Sequence, residues 1–220
     1  MNQGLLSVWP LFGLRLATPR LQLRLVRDDD LPGIVDAVLA GIHDPARTPF
    51  GVPWTDAPRG TLIRETLRHT WRMRAGIRPG SWDLGFVVCR NSVPIGMQDL
   101  NAIDFSVTRT VGTGSWLSHP YQGQGYGKEM RSAVLAFAFD YLGAEVAESA
   151  AAVWNESSLG VSRSLGYVPN GVRRVVSRPG EVTEQQHLRL EAKRFLRPGW
   201  QLIVDGADAA REELLTNPGP

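Results

Sequence analysis

The stretch TVGTGSWLSHPYQGQGYGKEM, from Thr110 to Met130, decides how the chain reads. Its first eight residues, Thr110 to Leu117, form a glycine-dotted strand pattern. Its last residues open a strongly amphipathic helix predicted over Gly125 to Leu142. Between them lies Gln122-Gly123-Gln124-Gly125-Tyr126-Gly127. A turn this rich in glycine lets backbone N–H groups approach a phosphate, and the positive end of the following helix adds partial charge. The glycine spacing rejects two nucleotide signatures. A dinucleotide turn needs G-x-G-x-x-G, a P-loop needs G-x-x-x-x-G-K-[ST], and here alternate glycines are followed by Lys128-Glu129. A phosphate-bearing cofactor of another kind is expected, against the plainer reading of a glycine turn as punctuation.

This strand, turn and helix resembles the coenzyme A motif Q/R-x-x-G-x-G/A of the GNAT N-acyltransferase superfamily, with Gln122, Gly125 and Gly127 at its defining positions. Asn155-Glu156-Ser157-Ser158 and the following Leu165-Gly166-Tyr167 are similar to a second element of that superfamily, and Gly166 is placed as a helix C-cap. Thr18-Pro19-Arg20-Leu21-Gln22-Leu23-Arg24 with Asp28-Asp29-Asp30 resembles the opening of RimJ/RimL-type members, whose known acceptors are mostly protein α-amino groups and, in relatives, small amines. The resemblance runs from about Thr18 to Trp200. It implies an α/β (α+β) fold: a mixed, mostly antiparallel sheet, splayed between its fourth and fifth strands, flanked by helices and followed here by a C-terminal extension. It implies a cofactor site at Trp116, Leu117, Gln122, Gly123, Gln124, Gly125, Tyr126, Gly127, Lys128, Asn155 and Ser158. It also implies acetyl-coenzyme A or succinyl-coenzyme A as co-substrate and a primary amine as acceptor. Asn155 or Ser157 is equally readable as a plain N-cap.

The chain has 220 residues and a mass of 24.2 kDa, enough for one well-buried α/β core with additions: an acyltransferase domain over 1–198 and an extension over 199–220. A net charge of +2 does not mark a nucleic-acid surface, despite a sequence pI near 9.0. The single cysteine, Cys89, rules out an internal disulfide and sits in the apolar run Phe86 to Cys89, so it reads as a buried strand residue. His43, His69, His119 and His187 lack metal-ligand spacing, and no metal is expected. Leu5 to Leu14 is apolar but lacks a basic flank and is broken by Pro10 and Gly13; with no run of spanning length elsewhere, neither a signal peptide nor a membrane segment is expected, and a cytoplasmic setting is.

Alternation of Leu21, Leu23 and Leu25 against Gln22 and Arg24 predicts a half-buried strand. Asp29 or Asp30 is placed to cap a helix carrying Leu31, Ile34, Val35, Val38 and Leu39 that ends near Gly41. His43 to Arg59 holds four prolines yet also Phe50, Val52 and Trp54, and is expected to line the acceptor pocket. A helix from Arg59 to Ala75, with Leu62, Leu67 and Trp71 as its apolar residues and Pro79-Gly80 closing it, precedes a hairpin of Trp82–Arg90 and Val93–Leu100 turning at Asn91-Ser92. Asn101 to Arg109 reads as a turn. Met130, Val134, Phe137, Ala138 and Tyr141 mark the core face of the helix after the glycine turn, and Ala144 to Trp154 should return as a strand beside Thr110–Leu117. Strands near Gly171–Ser177 and Glu184–Ala192 flank the turn Arg178-Pro179-Gly180. Leu202 to Val204 predicts a short strand and Asp205 to Leu215 a helix, an extension that could support a homodimer or be decorative. Residues 217–220 are expected to be a disordered tail.

Direct transfer needs a neutral amine, a polarised thioester, a held geometry and a proton for the thiolate. The resemblance assigns the Leu117 N–H to the carbonyl oxygen and Ser158 to the sulfur. Many relatives place a tyrosine acid seven residues after the motif asparagine, but Ser162 stands there. Asp99, Asp104 and Glu184 are the candidate bases, and Glu129 and Glu156 read as dipole-complementing residues. Arg47, with Phe50, Trp54 and Asp99, is a candidate acceptor or acyl contact. Two alternatives stay open: a member using an aminoacyl-tRNA donor, the one case in which nucleic acid would be a partner, and a non-catalytic coenzyme A-binding module.

Overall fold

The computed structural model describes residues 3–215. Helix α1 (Gln3–Val8) and a 3-10 turn at Pro10–Gly13 lead into β1 (Arg15–Ala17) and β2 (Gln22–Leu25). Next come α2 (Leu31–Leu39), α3 (Arg59–Ala75), β3 (Trp82–Arg90), β4 (Val93–Ala102), the single helical turn α4 (Phe105–Thr108) and β5 (Thr110–Leu117). Then α5 (Tyr126–Phe137), β6 (Val146–Ala152), α6 (Glu156–Ser164), β7 (Val168–Arg178), β8 (Glu181–Glu191), β9 (Ile203–Asp205) and α7 (Ala207–Leu215) complete the chain. The nine strands form one sheet in the order β7-β8-β6-β5-β4-β3-β2-β1-β9. Every neighbouring pair is antiparallel except β5 and β6.

Local chemistry sets the elements that the sequence announces. Asn91 and Ser92 both take positive φ, 48° and 66°, as a two-residue hairpin turn of the right twist demands. The helix after the glycine turn begins one residue past Gly125 and continues from Phe137 into a wider π turn over Ala138–Leu142, ended by Gly143 at φ 73°. Gly166, at φ 96°, ends α6 as expected. Cys89 is buried in β3.

Several expectations are corrected. Asp30 makes no cap bond to α2; its carboxylate pairs with Arg24 and accepts the Arg27 N–H, because a nearby guanidinium outcompetes a helix end. The inner face of α3 is Leu62, Thr66, Thr70 and Met73, with each threonine hydroxyl donating to the carbonyl four residues back. Trp71 points outward, its indole N–H on Asp28, and α3 stops at Gly76, before Pro79. The expected turn at Asn101–Arg109 is instead the end of β4 followed by α4. Arg15–Ala17 supplies an unforeseen first strand, so the splay lies between strands five and six.

That first strand also receives β9, which pairs with it from Arg15↔Asp205 to Ala17↔Ile203. Ala210 and Leu214 of α7 are fully buried in the main core with Leu11, Leu14 and Phe137. The extension therefore covers its own chain's sheet edge. With that packing in place, α5 is buried almost all round, including Arg131 and Ser132. The expected tail at 217–220 lies outside the described residues. Among the described residues, no helix is long and apolar enough to cross a membrane.

Candidate active site

Strands β5 and β6 pair over only three positions, Thr110↔Val146, Val111↔Ala147 and Gly112↔Glu148. Two side-chain bridges follow, from the Ser149 hydroxyl to the Thr113 carbonyl at 3.2 Å and from the Thr113 hydroxyl to the Glu148 carbonyl at 3.4 Å, and then the strands part. The remainder of β5, Gly114 to Leu117, is hydrogen-bonded to β4 on one side and faces a wedge on the other. The Ser118 N–H donates to Ile95 of the β4 side. Because successive residues of a strand direct their backbone groups to opposite neighbours, the Leu117 N–H points into the wedge. The Trp116 backbone groups and the Ser118 N–H point to β4, so of these three residues only Leu117 offers its N–H to the wedge.

At the mouth of the wedge sits the glycine turn. Gly123 and Gly125 adopt φ of 70° and 83°, which other residues reach only at a cost. Among the described residues, no acceptor takes the N–H groups of residues 123–128. Six donors are thus unspent at and before the head of α5. A Cβ on Gly127 would lie 3.8 Å from Val161 and 3.9 Å from Leu117, ordinary contact distances, so protein packing does not require glycine there.

The other expected cofactor residues divide by what already holds them. The Gln122 amide donates to the carbonyls of Ile42 at 2.5 Å and Leu117 at 2.7 Å, and its own N–H to His119, so this side chain builds the turn. Gln124 ties its amide to Pro120. The Tyr126 ring is buried, leaving its N–H. Lys128 is exposed beside the helix head. Asn155 caps α6 through its carbonyl oxygen, 3.2 Å from the Ser158 N–H, which is its plainer reading, and its amide nitrogen is not used by that cap. Ser158 lies in the first turn of α6, half-buried.

Two cationic groups were not anticipated here. Arg20 lies over the Tyr126 ring at 4.5 Å, donates to the Gln124 carbonyl at 3.0 Å and pairs with Glu129 at 2.6 Å. Arg90 also approaches Tyr126, at 5.6 Å. Glu129 stands in the first turn of α5 and additionally accepts from the Thr18 hydroxyl and the Arg20 N–H, so it also bolts the turn between β1 and β2 onto the helix. The sequence signal for this was Thr18-Pro19-Arg20 itself.

The opposite face of β5 carries Trp116. Its ring begins an aromatic row, 6.2 Å to Trp54, 5.3 Å on to Phe50 and 5.6 Å to His43, so Phe50 and Trp54 do approach the wedge end. Arg47 lies 5.7 Å over Trp154. Arg178 of β7 straps this loop down, with a fork on Asp56 at 2.6 and 3.1 Å and donations to the carbonyls of Pro45 and Ala46.

On that same face Asp99 stands in register between Gly85 and Gly114. A Cβ on Gly114 would lie 3.3 Å from its Oδ2, so the carboxyl fills the space a side chain at Gly114 would take, while Met73 and Met97 cover Gly85, 3.0 and 3.3 Å from a Cβ there. Asp99 Oδ1 is shielded and has no partner among the described residues, although part of the residue reaches solvent. Burial first, then the nearby Asp83 charge, pushes the Asp99 carboxyl up to about 8. Asp83 is raised by burial, opposed by His69, and burial lowers His69. A cavity of about 360 Å³ bounded by His69, Trp82 and Asp83 lies beyond them, away from the wedge. Asp104 and Glu184 are exposed. Asp104 begins α4, and Glu184 points to the face opposite Gln185, which is the residue that reaches the loop at Gly51.

The family model described as acetyltransferase (GNAT) domain matches residues 20–168. Among solved structures, Mycobacterium smegmatis RimJ in complex with CoA-disulfide is similar at 18% identity and a TM-score of 0.70, covering 89% of this chain and 90% of that one. RimL, a ribosomal L7/L12 alpha-N-protein acetyltransferase in complex with coenzyme A, aligns at 16% identity and a TM-score of 0.60 over 79% of this chain and 95% of its own. A spermidine N-acetyltransferase SpeG chimera from Vibrio cholerae and hSSAT gives 16% and 0.62, over 81% and 99%. With a parted pair of parallel strands, a glycine turn of unbonded N–H groups and a family match across most of its length, the chain belongs to the GNAT acetyltransferase family.

Proposed function

We propose that the protein transfers an acyl group, acetyl or succinyl, directly from coenzyme A to a primary amine of a protein N-terminus or a small molecule. The observation that carries the reading is the wedge: β5 separates from β6 after Thr113, which leaves the Leu117 N–H unpaired toward the gap at whose mouth the N–H groups of residues 123–128 gather. The pyrophosphate sits on those N–H groups, with Arg20 and Lys128 beside it. The pantetheine arm lies along the open edge of β5, and the Asn155 amide meets it from α6. The thioester carbonyl then accepts the Leu117 N–H as charge develops on its oxygen, and Ser158 stands beside the sulfur.

The acceptor approaches from the face of Trp116, Phe50, Trp54 and Asp99. A carboxyl near pKa 8 matches an α-amino group of similar pKa, so proton transfer between them is close to even. Arg47 is the candidate contact for the pendant carboxylate of a succinyl donor.

The test is thiol release from acetyl- and succinyl-coenzyme A over a panel of peptides with free N-termini and of alkyl amines. Amine-dependent release, lost on capping the peptide α-amine or the alkyl amine, is expected. Tight coenzyme binding with no release across the panel would favour a non-catalytic module.

A further inference from the structure

Arg131, on α5, is 5% exposed and has no ion-pair partner among the described residues. Its guanidinium donates to two serine hydroxyls, Ser162 at 2.9 Å and Ser115 at 3.1 Å, while its Nε is buried with no partner. Ser115 belongs to the wedge side of β5 and Ser162 to α6. Arg131 therefore ties the two walls of the wedge together from behind. Ser162 in turn donates to the Ser158 carbonyl at 3.1 Å, in the first turn of α6.

A buried guanidinium with two neutral partners for five donors is costly; replacing such a charge with an apolar side chain is commonly neutral or stabilising. The groups that face it do not offset the charge. They are Ser115 and Thr113 from β5, Ser162 from α6, and Tyr167 from the turn after α6, whose hydroxyl is 3.4 Å from Thr113. Glu129, on the same helix, is spent on Arg20. Burial lowers the Arg131 pKa, with Tyr167 opposing, and raises the Tyr167 hydroxyl, with Arg131 opposing; a guanidinium keeps its proton in proteins, so its charge has a phenol and no carboxylate beside it. An anion is missing from this arrangement, and acyl transfer forms one at the wedge.

Resting on the acyl-coenzyme A reading above, we infer that Arg131 is a positioning residue for the leaving group: through Ser115 and Ser162 its charge stabilises the coenzyme A thiolate. The amine nitrogen bonds the carbonyl carbon, the carbon–sulfur bond breaks, and its electron pair leaves on sulfur. The proton lost by the amine passes to the Asp99 side, and the thiolate takes up a proton from solvent on release. A fixed positive charge behind Ser162 lowers the need for a separate acid at the sulfur.

The experiment titrates coenzyme A and S-methyl-coenzyme A, which has no ionisable thiol, into wild-type protein, Arg131→Met and Ser162→Ala between pH 7 and 9.5. In wild type, coenzyme A affinity should strengthen about sevenfold relative to the S-methyl compound between pH 7 and 9.5, the gain expected if the bound thiol ionises about one unit below an ordinary thiol value of about 8.5. The difference should vanish in Arg131→Met and shrink in Ser162→Ala, while S-methyl-coenzyme A binds all three alike. Parallel pH curves for both ligands on wild type would overturn the role of Arg131 and leave the acyl-coenzyme A reading standing, and this arm needs no variant to fold. Failure of both ligands to bind folded wild type would overturn the acyl-coenzyme A reading and the role of Arg131 together.

Discussion

Replacing Asp99 with asparagine should make the protein more stable and less active, with the gain in stability growing with pH. Folding raises this carboxyl from 3.8 to about 8. The folded state holds the proton more tightly than the unfolded chain, so the contribution of Asp99 is fully present below about pH 4 and is lost as pH rises toward 8. At about 1.4 kcal/mol per unit, the full shift corresponds to a ceiling of roughly 5–6 kcal/mol at pH 8 and above. Partial access of the residue to solvent reduces this, and a difference of about 2–4 kcal/mol is the working expectation. Urea unfolding of both proteins at pH 5, 7 and 9 reads it directly. The stability difference should be small at pH 5 and increase through pH 8, and Asp83, raised by burial in both proteins, largely cancels from the comparison. Turnover of Asp99→Asn should fall at least tenfold with donor affinity unchanged. A stability difference that stays flat with pH would refute the buried-carboxyl reasoning, and unchanged turnover would remove Asp99 from the acceptor side.

Gly127→Leu should fold as well as wild type, since the added Cβ meets only ordinary contacts and leucine suits a helix better by somewhat under about 1 kcal/mol; its coenzyme affinity should drop tenfold or more by calorimetry. Arg178→Ala frees the loop at Pro45–Asp56, and a raised acceptor KM with an unaltered donor Kd is the expected kinetic signature. Glu129→Gln leaves the half-exposed Arg20 without its anion beneath the glycine turn, which should cost about 1–2 kcal/mol in urea unfolding and weaken coenzyme binding. Leu214→Ala, in a fully buried position, should cost about 2–4 kcal/mol although it lies in the terminal extension.

The parts of this fold that could be read from sequence are those fixed by near neighbours. Thr110–Leu117 was legible as a strand, Gly166 as a helix end and Asn91-Ser92 as a tight turn, because backbone sterics within a few residues decide each of them. Position along the motif likewise picked out Leu117, the glycine turn and the Asn155 segment. Distant partners decided what was missed. Nothing near Arg15–Ala17 indicates pairing with Ile203–Asp205, and nothing on α5 indicates that α7 and the N-terminal turn help enclose it. Nothing in the local sequence marks Arg131 as buried, and its burial follows from that packing. Gln122 matched the motif for a reason the motif does not state, since its amide is spent on Ile42 and Leu117. Asp99 was nameable as a carboxylate on an expected pocket face. Its isolation between Gly85 and Gly114 needed the strand register.

The central claim is that the head of α5 and the gap beside β5 form one coenzyme A site. Calorimetric titration of the wild-type protein with acetyl-coenzyme A, repeated with Gly127→Leu, tests it most directly. The account predicts one molecule bound per chain to wild type and at least tenfold weaker binding to a variant of unchanged fold. Equal affinity in the two proteins, or no binding to folded wild type, would contradict it.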